Sequence, residues 1–154
     1  MKRRAFLAVP FLLLAGCGQK PLSLGAADPL PLYSGETAEL RILINKWADH
    51  YGVPRSLFHR VIQRESDYNP AARNGPYYGL MQILPQTART MGYQGADAGL
   101  LDAETNLQFA GRYLRGAWLV SGGDEAEAVG WYARGYYYEA KRQGLLVETG
   151  LRAG

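Results

Sequence analysis

From residue 34 onward the apolar residues of this chain recur at intervals of three and four, and nowhere do apolar and polar residues alternate over a strand's length with β-branched enrichment. A chain patterned this way buries its apolar side chains only as helices laid against one another. Ser34 and Thr37, with Glu36 and Glu39 in the first turn, fit a helix start, and Leu40, Leu43, Ile44, Trp47 and Tyr51 carry the stripe to a stop at Gly52. Pro54 suits the first turn of a second helix, whose stripe is Leu57, Phe58, Val61 and Ile62. Pro85 opens a short helix to about Met91, and Asp102 caps a longer one through Leu107, Ala110, Leu114 and Ala117. Asp124 starts another through Ala126, Val129 and Ala133, and a last runs from Tyr137 to Gln143 and ends at Gly144. Between Asp67 and Gly79, Asn69-Pro70 and Asn74-Gly75-Pro76 are loop chemistry, long enough to be functional. The expectation is one all-α domain of five to seven short helices over residues 34–154.

The N-terminus follows a different rule. Met1 to Arg4 are a positive segment and Ala5 to Ala15 an apolar run too short to span a bilayer, which together fit a secretory signal. The run closes on Leu14-Ala15-Gly16-Cys17, which looks like a bacterial lipobox and implies cleavage after residue 16 with lipidation of Cys17. Residues 17–33, with Pro21, Gly25, Pro29 and Pro31 and no period, then read as a tether. Lipidation implies a protein anchored to a membrane rather than spanning it. Gly18 in place of Asp after the lipidated position favours, by resemblance to Gram-negative lipoproteins, the outer membrane facing the periplasm. Of 17 basic residues three lie in the removed leader, leaving 14 against 14 acidic, so no nucleic-acid partner is expected. One Cys and two His supply neither a disulfide framework, nor a zinc cluster, nor a Cys/His catalytic pair.

The second stripe carries an anomaly. One turn beyond Val61 and Ile62 it reaches Glu65, which aims a carboxyl inward at the C-terminal end of a helix. A charge there is costly, and two arrangements relieve it. One is an ion pair with an arginine such as Arg64 or Arg73; the other is a partly desolvated carboxyl whose pKa rises toward neutrality, able to give and take a proton. Periodicity by itself favours the ion pair.

The surroundings reverse that preference. Glu65-Ser66-Asp67-Tyr68-Asn69-Pro70-Ala71-Ala72, then Tyr78-Gly79-Leu80-Met81-Gln82-Ile83-Leu84-Pro85-Gln86-Thr87-Ala88, then Asp102 with Asn106, Gly111, Tyr113 and Leu114, stand in a fixed order. Over about residues 40–143 the chain resembles the soluble lytic transglycosylase domain of the goose-type, lysozyme-like superfamily. The resemblance implies a lysozyme-like α fold and an enzyme that cleaves the MurNAc-β-1,4-GlcNAc bond of peptidoglycan glycan strands without metal or organic cofactor. It also implies that the muramoyl C6 hydroxyl, in place of water, closes a 1,6-anhydro ring.

On that resemblance Glu65 is the sole catalytic acid/base, and Ser66, Met81, Gln82 and Tyr132 are substrate-binding or orienting residues. Ser66 holds the carboxyl or the substrate, or else caps the helix. Met81 and Gln82 form a cleft wall, with core filling as the alternative for Met81. Asp67 is read as an Asx-type turn residue, and Asn106 as a buried structural amide. Many relatives carry Ala-Tyr-Asn-Ala-Gly where this chain has Trp131-Tyr132-Ala133-Arg134-Gly135, so Tyr132 carries over as the tuner of Glu65 and Ala133 carries no role. Of Tyr136, Tyr137 and Tyr138 at least one must pack inward; His50, His59 and the three tryptophans are assigned structural roles. The competing expectations are a goose-type lysozyme-like hydrolase using the same Glu65 with water, and a non-catalytic glycan-binding lipoprotein with a protein partner in an envelope assembly.

Overall fold

The computed structural model describes residues 30–154; the signal segment, Cys17 and most of the tether lie outside the described residues. Six α-helices carry the fold: α1 (Ala38–Tyr51), α2 (Arg55–Glu65), α3 (Pro85–Thr90), α4 (Ala103–Val120), α5 (Glu125–Arg134) and α6 (Tyr137–Gln143), with a 3-10 helix at Asp97–Leu101 before α4. The expected loop after α2 contains a minimal antiparallel hairpin, β1 (Arg73–Asn74) and β2 (Tyr77–Tyr78), with Arg73 opposite Tyr78 and Asn74 opposite Tyr77. Helix α4 is the axis on which α1, α3, α5 and α6 pack, and α2 lies against α1 and α5. Among the described residues no helix is long and apolar enough to cross a membrane.

The ends of the helices follow from local chemistry. Asp102 and Asp124 each accept the main-chain N–H three residues on, at 2.8 Å, and so cap α4 and α5. Gly52 and Gly144 close α1 and α6 in the left-handed region, at φ 62° and 76°. The start of α1 differs from expectation: its cap is Thr37, whose Oγ1 accepts from Leu40 N–H at 3.2 Å, while Ser34 lies in a preceding turn. The reason is Glu36, which is not an exposed first-turn acid. Its carboxyl is buried and accepts from Arg41 Nε and Nη2 at 2.6 Å each.

The stripes bury as their spacing requires. Ile44, Leu57, Phe58, Ile62, Leu107 and Leu114 are fully enclosed, each contributing about 1.5–3 kcal/mol of burial. Gly116 is fixed by packing, since any Cβ there would collide with the Tyr136 hydroxyl, which donates to the Tyr113 carbonyl at 2.8 Å. Of the proposed tether, residues 30–33 lie against the domain. Arg41 donates to the carbonyls of Leu30 and Pro31, and the Tyr33 ring stacks on Tyr68 at 5.7 Å. His59 completes this buried group, with Nδ1 2.9 Å from the Tyr68 hydroxyl and 3.7 Å from Glu36.

Candidate active site

Glu65 is the last residue of α2, and the burial of Val61 and Ile62 one turn earlier fixes the direction it takes. Its side chain keeps 23% of its exposure, and this partial burial raises its pKa above the ordinary 4.5, with Arg64 acting in the opposite sense. Arg64 Nε stands 3.7 Å away on a half-exposed side chain, so the attraction is screened and the rise prevails. Arg73, the other candidate partner, rests over the Tyr78 ring at 4.5 Å. The chain then turns sharply, with Asp67 and Tyr68 in the left-handed region at φ 50° and 63°. The expected Asx turn at Asp67 falls on Asn69 instead, whose Oδ1 accepts from Ala71 N–H at 3.0 Å. Asp67 itself is exposed, because its left-handed backbone already makes the turn.

Behind Glu65 the Gly79–Gln82 segment is bound into place from three sides. Ser66 caps α2, its hydroxyl donating to the Leu80 carbonyl at 2.7 Å, so it joins the helix end to this segment. Asn106, fully buried on α4, accepts from Met81 N–H at 2.9 Å and donates to the Tyr78 and Leu100 carbonyls at 2.8 Å each. Gly79, at φ 74°, is required here, since a Cβ would enter both that amide and the Leu100 carbonyl. From α5 the Tyr132 hydroxyl donates to the Met81 carbonyl at 2.7 Å.

One of the expected cleft residues takes another position. The Met81 side chain is fully enclosed in the core, and the groups it offers to its surroundings are its N–H and C=O. Gln82 adopts φ 48°, a conformation a non-glycine residue holds only when its neighbours dictate it. Its Nε2 donates to the Gly79 and Ala72 carbonyls at 2.9 and 3.1 Å, while its Oε1 is buried with no donor among the described residues.

Gln82 and Tyr132 line one cavity of about 210 Å³, together with Tyr77, Tyr113, Ala133 and Arg134. Glu65 is not in its wall; Tyr132 is the link, because the Glu65 charge acts on its phenol. Burial first, then Glu65, Tyr113 and Tyr136, hold the Tyr132 phenol far above its ordinary value, so it stays a neutral donor. Tyr113 had no role in the sequence expectation, yet burial pushes it up to about 12 and its ring lies 5.5 Å from Tyr132 and 4.6 Å from Tyr136. Its place two turns after Asn106 on the inward stripe of α4 was the available signal. Among the described residues no three His, Cys, Asp or Glu side chains gather as a metal-binding group.

No solved structure matches the chain at a significant level. The family model described as Transglycosylase SLT domain matches residues 42–144, from the first turns of α1 to the end of α6. That span holds Glu65, the Gly79–Gln82 segment bound by Asn106, and Tyr132, and it covers most of the helical domain. The chain therefore belongs to the transglycosylase SLT domain family, with the mainly α, lysozyme-like fold and the lytic-transglycosylase type of action on peptidoglycan that this family denotes.

Proposed function

We propose that this protein is a peptidoglycan lytic transglycosylase in which Glu65 serves as both acid and base. The observation that supports this most directly is the electrostatic isolation of Glu65. Its carboxyl is raised by burial, and among the described residues the one charge that acts on it appreciably is Arg64, with no second carboxylate. Glycosidases of the usual kind divide the work between two carboxyl groups. With a single acid, groups of the substrate itself can supply the nucleophile and the cation stabiliser.

In this scheme protonated Glu65 donates to the glycosidic oxygen between N-acetylmuramic acid and N-acetylglucosamine, and the substrate's N-acetyl group stabilises the developing cation. Glu65, now a carboxylate, takes the proton of the muramoyl C6 hydroxyl as that oxygen closes the 1,6-anhydro ring. Both steps need a carboxyl that exchanges its proton near the working pH, which partial burial favours. Tyr132 holds the Met81 carbonyl and presents a neutral phenol near the carboxyl, and Gln82 forms part of the wall of the cavity beside it. On the same reading Cys17 carries the lipid, and the enzyme works from the periplasmic face of the outer membrane.

The test is mass spectrometry of fragments released from purified peptidoglycan by the full-length chain and by its Glu65→Gln variant. Anhydro-muramoyl ends that resist borohydride, made by the native protein and absent with the variant, are expected. Reducible ends one water heavier would identify a hydrolase, and release that persists in the variant would remove Glu65 from the mechanism.

A further inference from the structure

Two hollows meet at Arg134. The cavity lined by Tyr132 ends at Ala133, Arg134 and Gly135, and a second, of about 460 Å³, begins at the same Arg134 and Gly135 and runs along α6 past Trp131, Tyr137 and Tyr138. The size of the second hollow is that of a small-ligand site. Trp131, Tyr137 and Tyr138 supply its aromatic surface, and Tyr137 and Tyr138 are 49% and 83% exposed. The Arg134 guanidinium lies over the Trp131 ring, 3.8 Å from its centroid. Gly130, one turn earlier, leaves the space it needs, since a Cβ there would stand 2.5 Å from Nη1.

A guanidinium seated on an indole is oriented on one face while its N–H edge stays available. Arg142, on the same hollow, is neutralised by Glu139. Arg134 has no carboxylate partner among the described residues. The site therefore presents one uncompensated, pre-oriented cation at the junction with the cleft. Neutral amino-sugar rings need no such charge. A peptidoglycan strand does carry anions, on the peptides branching from its muramoyl residues, and a guanidinium edge matches a carboxylate with two parallel hydrogen bonds. The volume of the hollow exceeds what a lone lactyl carboxylate would fill.

We propose that the α5–α6 hollow receives the peptide branch of the glycan and that Arg134 binds a carboxylate of that peptide, so that the enzyme selects peptide-bearing strands. This rests on the glycan-cleaving reading above. Arg134 is then a specificity residue, acting on a part of the substrate away from the bond that breaks.

The experiment compares full-length protein on two substrates, peptide-bearing glycan strands and the same strands stripped of peptide by an amidase, which leaves lactyl carboxylates free. The native chain is expected to show a higher kcat/KM on the peptide-bearing strands. Arg134→Met, which keeps a side chain long enough to cover Trp131, should lower that ratio by about tenfold or more, the worth of a charge-assisted bond. Arg134→Lys should recover part of it, and salt should erode the preference of the native chain and not that of the Met variant. A ratio that Arg134→Met leaves unchanged, or an equal fall on both substrates, overturns the proposal. So does a native chain indifferent to stripping, which would assign Arg134 to the lactyl carboxylate. Should neither substrate be cut, the cleavage reading fails by itself. Titration calorimetry of Glu65→Gln with the two kinds of soluble strand still decides this one, equal affinity overturning it.

Discussion

Replacing Asn106 by leucine isolates the contribution of one amide to the shape of the cleft. Leucine is of similar size and apolar, so the packing volume of α4 is kept while three hydrogen bonds to buried main chain disappear. Their costs differ. The Tyr78 carbonyl keeps a second donor in Ile83 N–H at 3.1 Å, so its loss is near the net worth of one bond, about 1 kcal/mol. The Leu100 carbonyl and Met81 N–H each lose their partner in a fully enclosed place, at about 1–3 kcal/mol apiece. A total of about 3–7 kcal/mol is a large share of what holds a domain of this size. Urea unfolding of the full-length chain and its variant, followed by circular dichroism, gives the difference directly from the midpoints if the slopes agree. The variant should also cut glycan more slowly, because the segment that Tyr132 grips is no longer fixed. A stability loss below about 1 kcal/mol would refute the argument, since Met81 N–H would then have an acceptor elsewhere.

The raised pKa of Glu65 makes a signed claim about stability. A carboxyl whose folded value lies above its ordinary 4.5 contributes stability below that value and loses it as pH rises through the folded one. Glu65→Gln should therefore have the higher Tm at pH 8, with the gap closing below about pH 4.5, and a gap of opposite sign would contradict the assigned cause. The rate of the native chain should fall as pH rises through the folded-state value of Glu65, above 4.5, because the first step needs the protonated acid. Tyr132→Phe removes the bond to the Met81 carbonyl and should cost about 1–2 kcal/mol in urea unfolding, with a rate loss smaller than that of Glu65→Gln. Arg41→Met leaves Glu36 buried without its principal partner and should cost about 3–5 kcal/mol at pH 7. Burial works to raise the Glu36 pKa, and the bonds from Arg41 and Tyr33 N–H outweigh it, so the value is lowered and the native advantage shrinks in acid; a deficit equal at pH 7 and pH 4 would refute the pairing.

What the sequence made legible was whatever a few neighbouring residues decide among themselves. Asp102, Asp124, Gly52 and Gly144 act within one helical turn, and the helices end where they stand. Glu65 stood out because it broke a stripe, an inconsistency visible without any tertiary knowledge. The rest depended on partners far along the chain. Ser34 and Thr37 are both acceptable caps, and the choice is made by the burial of Glu36 against Arg41. Met81 read as a cleft wall because a motif gives residue types and not the direction of a side chain; here the main chain of Met81 serves the site while its thioether fills the core. Sequence leaves the role of Ser66 between two alternatives because the Leu80 carbonyl that its hydroxyl reaches is 14 residues away.

The clamp that Arg41 forms on Leu30, Pro31 and Glu36 lies in the path of any force that reaches the domain from its N-terminal side. Tension on the chain ahead of Leu30 meets that guanidinium first and passes into α1, and only after the clamp yields does it reach Tyr33 and, through its stacked ring, the Tyr68 turn that follows Glu65. The clamp is thus a strain relief, of the kind that keeps a pull on a cable from reaching the joint behind it.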